Sequence, residues 1–205
     1  MEISFLFTII ILIMSVVIHE VSHGYAAYLM GDTTAKNAGR LTLNPLAHLD
    51  FMGSLIVPLL AYLSAGFMFG WAKPVPYNPY NLKNQKYGDA IVAVAGPASN
   101  LLVALIFGLL IRFTFPYLGY AGIDFIKIVS LIVQINLILA IFNLIPIPPL
   151  DGSKILFTFL PYRFIGIKQN LERYSMFLLM FFILFLWEFL FPLITFLFSV
   201  ITGIN

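Results

Sequence analysis

Apolar residues run without a break from residue 3 to residue 18, and the pattern continues to about Met30. About 20 apolar residues cross a bilayer core, so residues 3–30 predict one long membrane-spanning helix. Gly31 is placed to end it, because glycine is favoured just past a helix C-terminus. The stretch does not read as a signal peptide. It has no basic leading region, and no small-residue cleavage site precedes the polar His19 and Glu20. Residues 52–70 predict a second span broken by Pro58, and residues 71–88 a loop rich in proline and asparagine. Further spans are expected at about 89–113 and about 125–145. Pro146, Pro148 and Pro149 cannot continue a helix. Residues 151–160 then read as a short helix, and residues 172–203 as one or two more spans interrupted at Pro192. The expected fold is all-α: a polytopic transmembrane bundle of about 5–6 spans, with a short hairpin or re-entrant loop after the first helix. No internal repeat or soluble appendage is visible, so residues 1–205 are expected to form a single integral-membrane domain.

Composition supports the membrane reading. Hydrophobic residues make up 61% of the chain and charged residues only 10%, against roughly 25% charged in ordinary soluble domains. A net charge of +2 and the lack of a Lys/Arg cluster argue against a nucleic-acid partner. With no cysteine, disulfides, thiolate-ligated zinc and thiol catalysis are excluded. If the first four predicted spans all cross, Lys73, Lys83, Lys86, Lys154, Arg163, Lys168 and Arg173 share one side, and Lys36, Arg40, Arg112 and Lys127 the other. The positive-inside rule then places the first group, and the N-terminus, on the cytoplasmic side of a cell membrane.

In such a chain the polar exceptions carry the information, because an ionisable residue inside a span is expensive and functional by default. The first span contains Ile18-His19-Glu20-Val21-Ser22-His23, a His-Glu-x-x-His pattern. Residues i and i+4 share a helix face, so His19 and His23 can grip one Zn²⁺, with Glu20 beside it as a base for water. A catalytic zinc usually has three protein ligands. Asp151 is one candidate, since it follows the proline-broken segment Asn143–Leu150; the same residue could instead be an ordinary helix N-cap. His48, in Leu43-Asn44-Pro45-Leu46-Ala47-His48, is its rival. Asn100, Gln134 and Asn136 read as interhelical hydrogen-bond partners, and Glu188 as an interfacial or helix-pairing residue.

These motifs together resemble the site-2 proteases, which are intramembrane zinc metalloproteases. The resemblance rests on His19–His23, Gly39-Arg40-Leu41-Thr42-Leu43-Asn44-Pro45, Gly70-Trp71-Ala72-Lys73-Pro74-Val75-Pro76, Ala95-Gly96-Pro97-Ala98-Ser99-Asn100, Asn143–Gly152 and Leu171-Glu172-Arg173-Tyr174. It implies that Asp151 is the third ligand, that Asn143 steadies the substrate carbonyl, and that the site opens toward the cytosol. Within these residues neither a PDZ insertion nor a nucleotide-sensing domain is visible, so a minimal form of the group is expected, and Phe51 stands where similar sequences tend to have proline.

The function implied is an intramembrane zinc endopeptidase. It would hydrolyse peptide bonds in or near transmembrane helices of membrane-protein substrates embedded in the lipid bilayer, with Glu20 as general base and Asn143 at the oxyanion. Residues 39–43 alternate weakly and could offer a strand edge to an unwound substrate, or be a plain structural hairpin. A secondary transporter would also use broken helices, but predicts repeated halves. A metal-free scaffold is the other alternative; nothing in the residue types favours it.

Overall fold

The computed structural model describes residues 2–50, 73–118 and 122–204. The span expected at 52–70, and Phe51 with it, lie outside the described residues. Among those described, four segments are long and apolar enough to cross a membrane, and no strand is present. The polytopic all-α expectation therefore holds.

Helix α1 (Glu2–Leu29) is apolar almost throughout. It ends where Gly31 takes φ +104°, and Asp32 N–H returns to the Ala27 carbonyl at 3.0 Å. A four-residue turn, α2 (Thr34–Asn37), follows. Helix α3 (Gly88–Leu118) packs against both α1 and α4 (Ile123–Asn143). The chain then turns through 144–150 into α5 (Asp151–Phe159) and α6 (Ile165–Arg173). The last span, Ser175–Thr202, comprises α7 (Ser175–Phe181), a π-turn at Phe182–Leu186, a 3₁₀ turn at Trp187–Leu190 and α8 (Phe191–Thr202). The sequence predicted its interruption at Pro192. The irregular turns instead precede the proline, which sits in the first turn of α8, where its missing N–H has no intrahelical partner to lose.

Lipid tails are as apolar as leucine, so close packing rather than escape from water joins these helices. The main apolar core combines Ala104 and Ile111 of α3, Val129, Val133, Leu137 and Ile141 of α4, and Ile194 of α8. Gly108 lets α8 approach α3: a Cβ there would lie 2.3 Å from Ile201 Cγ2.

The hydrogen bonds correct the expected grouping of the loops. Buried Asp32, just past α1, accepts from Asn78 N–H at 2.7 Å and from the Asn81 side chain at 2.9 Å. Burial pushes this carboxyl up, but those bonds and two from Thr34 outweigh it and hold it below the usual carboxylate range. Lys83 N–H reaches the Met30 carbonyl at 2.8 Å, and Lys73 N–H reaches the His48 carbonyl at 2.9 Å. The end of α1 and the 73–88 loop thus lie on one face of the bundle, not on opposite faces. Tyr87 meets Phe159, and Lys168 lies over Phe157, so α5 and α6 join that face. The last span ends at the opposite face, where Arg112 donates to the Val200 carbonyl at 2.6 Å. Lys36, Arg40, Lys73, Lys83, Lys86, Lys154, Arg163, Lys168 and Arg173 therefore share one face, and Arg112 and Lys127 the other; nine and two account for all 11 Lys and Arg. The N-terminus, at the far end of α1, belongs with the pair.

Candidate metal centre

His19 and His23 stand one turn apart on α1, and their Nε2 atoms are 3.1 Å apart. Asp151 Oδ2 lies 3.1 Å from His19 Nε2 and 3.0 Å from His23 Nε2. All three residues are buried. Zinc bonds of about 2.0–2.1 Å in tetrahedral geometry would separate ligands by roughly 3.3–3.4 Å, so the three donors need only small shifts to hold an ion.

The rings are oriented for that task. Asn100 Oδ1 is 2.6 Å from His19 Nδ1, while its Nδ2 donates to the Ser15 carbonyl and to Asn136 Oδ1. Val92 carbonyl is 2.7 Å from His23 Nδ1. Each Nδ1 therefore donates its proton, which leaves each Nε2 as a lone pair. Two lone pairs and a carboxylate oxygen then converge, and only a cation or a shared proton can sit among them. That chemistry fits a divalent metal.

Two glycines permit this approach. A Cβ on Gly96 would lie 2.4 Å from His23 Nε2 and 2.6 Å from His19 Nε2. A Cβ on Gly152 would lie 2.2 Å from the Leu144 carbonyl oxygen and 2.5 Å from that of Ile145. Gly152 thus seats α5 on the end of α4 and carries Asp151 to the histidines. Leu150, not Asp151, is the N-cap of α5; Asp151 is its first residue.

A cavity of about 150 Å³ opens beside the three donors, lined also by Glu20, Val75, Tyr77, Asn143 and Lys154. Glu20 Oε2 accepts from Val75 N–H at 2.8 Å. Buried Arg40 fixes that segment by donating to the carbonyls of Ala47 and Lys73. Asn143 donates one amide proton to the Leu139 carbonyl at 2.9 Å. Tyr77 donates its hydroxyl proton to Asp89. Burial first, then the hydrogen bond to Asp89 and its charge, push the Tyr77 phenol above its ordinary range, so it stays neutral.

His48 is elsewhere. It is buried with Nε2 at 2.8 Å from the Thr42 carbonyl, and it takes no part in the donor group. Residues 39–43 form no strand. Asn100 and Asn136 are interhelical partners as expected, Gln134 is exposed on α4, and Glu188 is exposed in the 3₁₀ turn. Sequence reasoning missed the contact of Asn100 with His19 and the roles of Gly96, Val75 and Lys154. The signal for Gly96 was a glycine before Pro97 inside an apolar helix.

Residues 119–186, which contain Asn143 and Asp151, match the model of Peptidase family M50. Over 193 residues the chain is 39% identical to "Putative zinc metalloprotease YwhC" of Bacillus subtilis (strain 168), an alignment covering 91% of this chain and 81% of that protein. It is 34% identical over 146 residues to "Putative zinc metalloprotease Rip2" of Mycolicibacterium smegmatis, covering 68% of this chain and 52% of that one. The Rip2 protein of Mycobacterium tuberculosis (strain H37Rv) is 27% identical over the same share, so the chain spans about half the length of the Rip2 relatives. No solved structure matches. A likeness that extends across nine-tenths of the chain, and joins the histidine pair of α1 to the aspartate of α5, makes this chain a member of Peptidase family M50, the site-2 proteases.

Proposed function

We propose that this chain is a zinc endopeptidase hydrolysing peptide bonds in or near the transmembrane helices of membrane-protein substrates. In this reading residues 1–205 act as one integral-membrane domain. His19, His23 and Asp151 hold the metal, Glu20 is the general base, and Asn143 donates to the substrate carbonyl. The observation that carries it is the convergence of three metal-ligating atoms beside a carboxylate in a cavity inside a membrane bundle. Zinc supplies Lewis acidity toward a carbonyl oxygen and lowers the pKa of water toward about 7. Glu20 keeps one oxygen on Val75 N–H and has the other free to take a proton from water and return it to the leaving amine. Asn143 has a second amide proton free to face the cavity.

Purified chain should contain one zinc. Asp151→Ala should lose it, whereas His48→Ala should keep it, as read by metal analysis after gel filtration. Stoichiometric zinc in Asp151→Ala would remove Asp151 from the ligand set.

Nine basic residues against two orient the bundle with its site face in the cytoplasm and its N-terminus outside. His23 and His19 lie six and ten residues before Leu29. At 1.5 Å per residue the metal site is about 9–15 Å below that face, within reach of water through the cavity. The chain has no native cysteine. Cysteines replacing Lys36, Lys83 or Lys168 should therefore react with an impermeant thiol reagent from the cytoplasmic side, and one replacing Lys127 from the other side. Labelling of Lys36→Cys and Lys83→Cys from opposite sides would overturn this arrangement.

A further inference from the structure

The cavity contains a cation whose charge the metal site does not need. Lys154, three residues after Asp151, is half-buried, with Nζ 3.4 Å from Asp151 Oδ1 and 5.4 Å from the centre of the Tyr77 ring. A positive charge this close to a metal site repels the metal, so it lowers affinity for a divalent ion. Asp151 turns its other oxygen, Oδ2, to the histidines.

The other donors lining the cavity are largely engaged. Val75 N–H is bonded to Glu20, the Tyr77 hydroxyl to Asp89, and one Asn143 amide proton to Leu139. Lys154 has three protons and one long contact. Tyr77, anchored at its hydroxyl, presents its ring as a wall against the ammonium and keeps it beside the cavity.

We propose that Lys154, beside Asn143, is a charged anion-binding group of the cleavage site. Its ammonium receives the negative charge that hydrolysis builds on the scissile carbonyl oxygen, and then pairs with the new C-terminal carboxylate. The inference rests on the zinc-endopeptidase reading and adds a residue to it. In the reaction a water oxygen bonds to the carbonyl carbon and the C–N bond breaks. One water proton passes through Glu20 to the leaving amine. The acid formed loses its remaining proton to solvent, and the resulting carboxylate carries the charge that Lys154 meets.

The test compares wild type, Lys154→Met and Lys154→Arg in detergent. Zinc affinity is measured by chelator competition. Turnover is followed on a fluorogenic leucine-rich transmembrane peptide with a central Asn-Gly-Gly. Binding of the N-terminal product is measured as its free acid and as its C-terminal amide. Lys154→Met should bind zinc as tightly as wild type or more tightly. Its kcat should fall about 10²–10³-fold, as for loss of an oxyanion donor, with KM changed far less, and Lys154→Arg should restore part of it. Wild type should prefer the acid over the amide by about tenfold or more, and Lys154→Met should lose most of that preference, keeping only the part the metal supplies. Loss of zinc in Lys154→Met would make Lys154 a mere support for Asp151 and overturn the proposal, as would wild-type turnover or an unchanged acid preference. If wild type binds zinc but leaves the peptide intact, the endopeptidase reading is what suffers, and the acid-against-amide comparison still decides the role of Lys154.

Discussion

Glu20→Gln is expected to keep its full zinc content and to lose turnover by about 10²–10⁴-fold, the range for removing a positioned general base. Glutamine has nearly the same shape. Its carbonyl oxygen can still accept from Val75 N–H, so the contact between α1 and the 73–77 segment survives. Glu20 is not in the donor group formed by His19, His23 and Asp151, so the metal has no reason to leave. What disappears is a cavity-facing oxygen that can carry a proton. Parallel metal analysis and single-turnover cleavage would separate the two effects. Cleavage near the wild-type rate would show that the proton goes elsewhere.

Gly96→Ala should lose zinc and activity together, although it alters neither a ligand nor the base. The added methyl would overlap both Nε2 atoms, at 2.4 Å and 2.6 Å. Neither ring can retreat freely, because Asn100 holds His19 Nδ1 at 2.6 Å and the Val92 carbonyl holds His23 Nδ1 at 2.7 Å. Alanine favours helix over glycine by about 1 kcal/mol, so α3 should keep its helicity. Circular dichroism close to wild type, with zinc far below one per chain, is the expected pair of results. Gly166→Ala is the control: its Cβ would meet nothing within 4 Å, and zinc should be retained. Stoichiometric zinc in Gly96→Ala would mean that the histidines do not meet where the geometry puts them.

The histidine pair of α1 was legible because its logic is local. Two histidines four residues apart share a face on any helix, and a membrane interior tolerates them only for a reason. The spans were legible for the same kind of reason: lipid forces the backbone to satisfy itself within each segment, so apolar length alone predicts a helix. Their bounds came close, with α1 expected at 3–30 and found at Glu2–Leu29, and α4 expected at 125–145 and found at Ile123–Asn143.

The third member of the donor group was not legible from the residues. Asp151 and His48 both sat in proline-marked turns, and only the family resemblance chose between them. In the fold, Gly152 seats α5 on the end of α4 and brings Asp151 across 132 residues of sequence to His19, while His48 turns to Thr42 in its own loop. The grouping of the loops was misread because alternation of spans is a rule about segments, not about contacts. Asp32 bonded to Asn78 and Asn81 ties the end of α1 to the 73–88 loop, and that alone changes the basic-residue tally from seven and four to nine and two. The contacts of Gly96, Asn100 and Lys154 with the donor group were not legible for a related reason. The sequence by itself determined the long apolar helices at α1, α3 and α4 and that two histidines share one face of the first of them, because helix period and lipid exclusion act within a dozen residues. Only the tertiary structure decided which distant carboxylate, amide and ammonium surround that pair, because such contacts depend on how closely whole helices approach, and a single missing Cβ sets that distance.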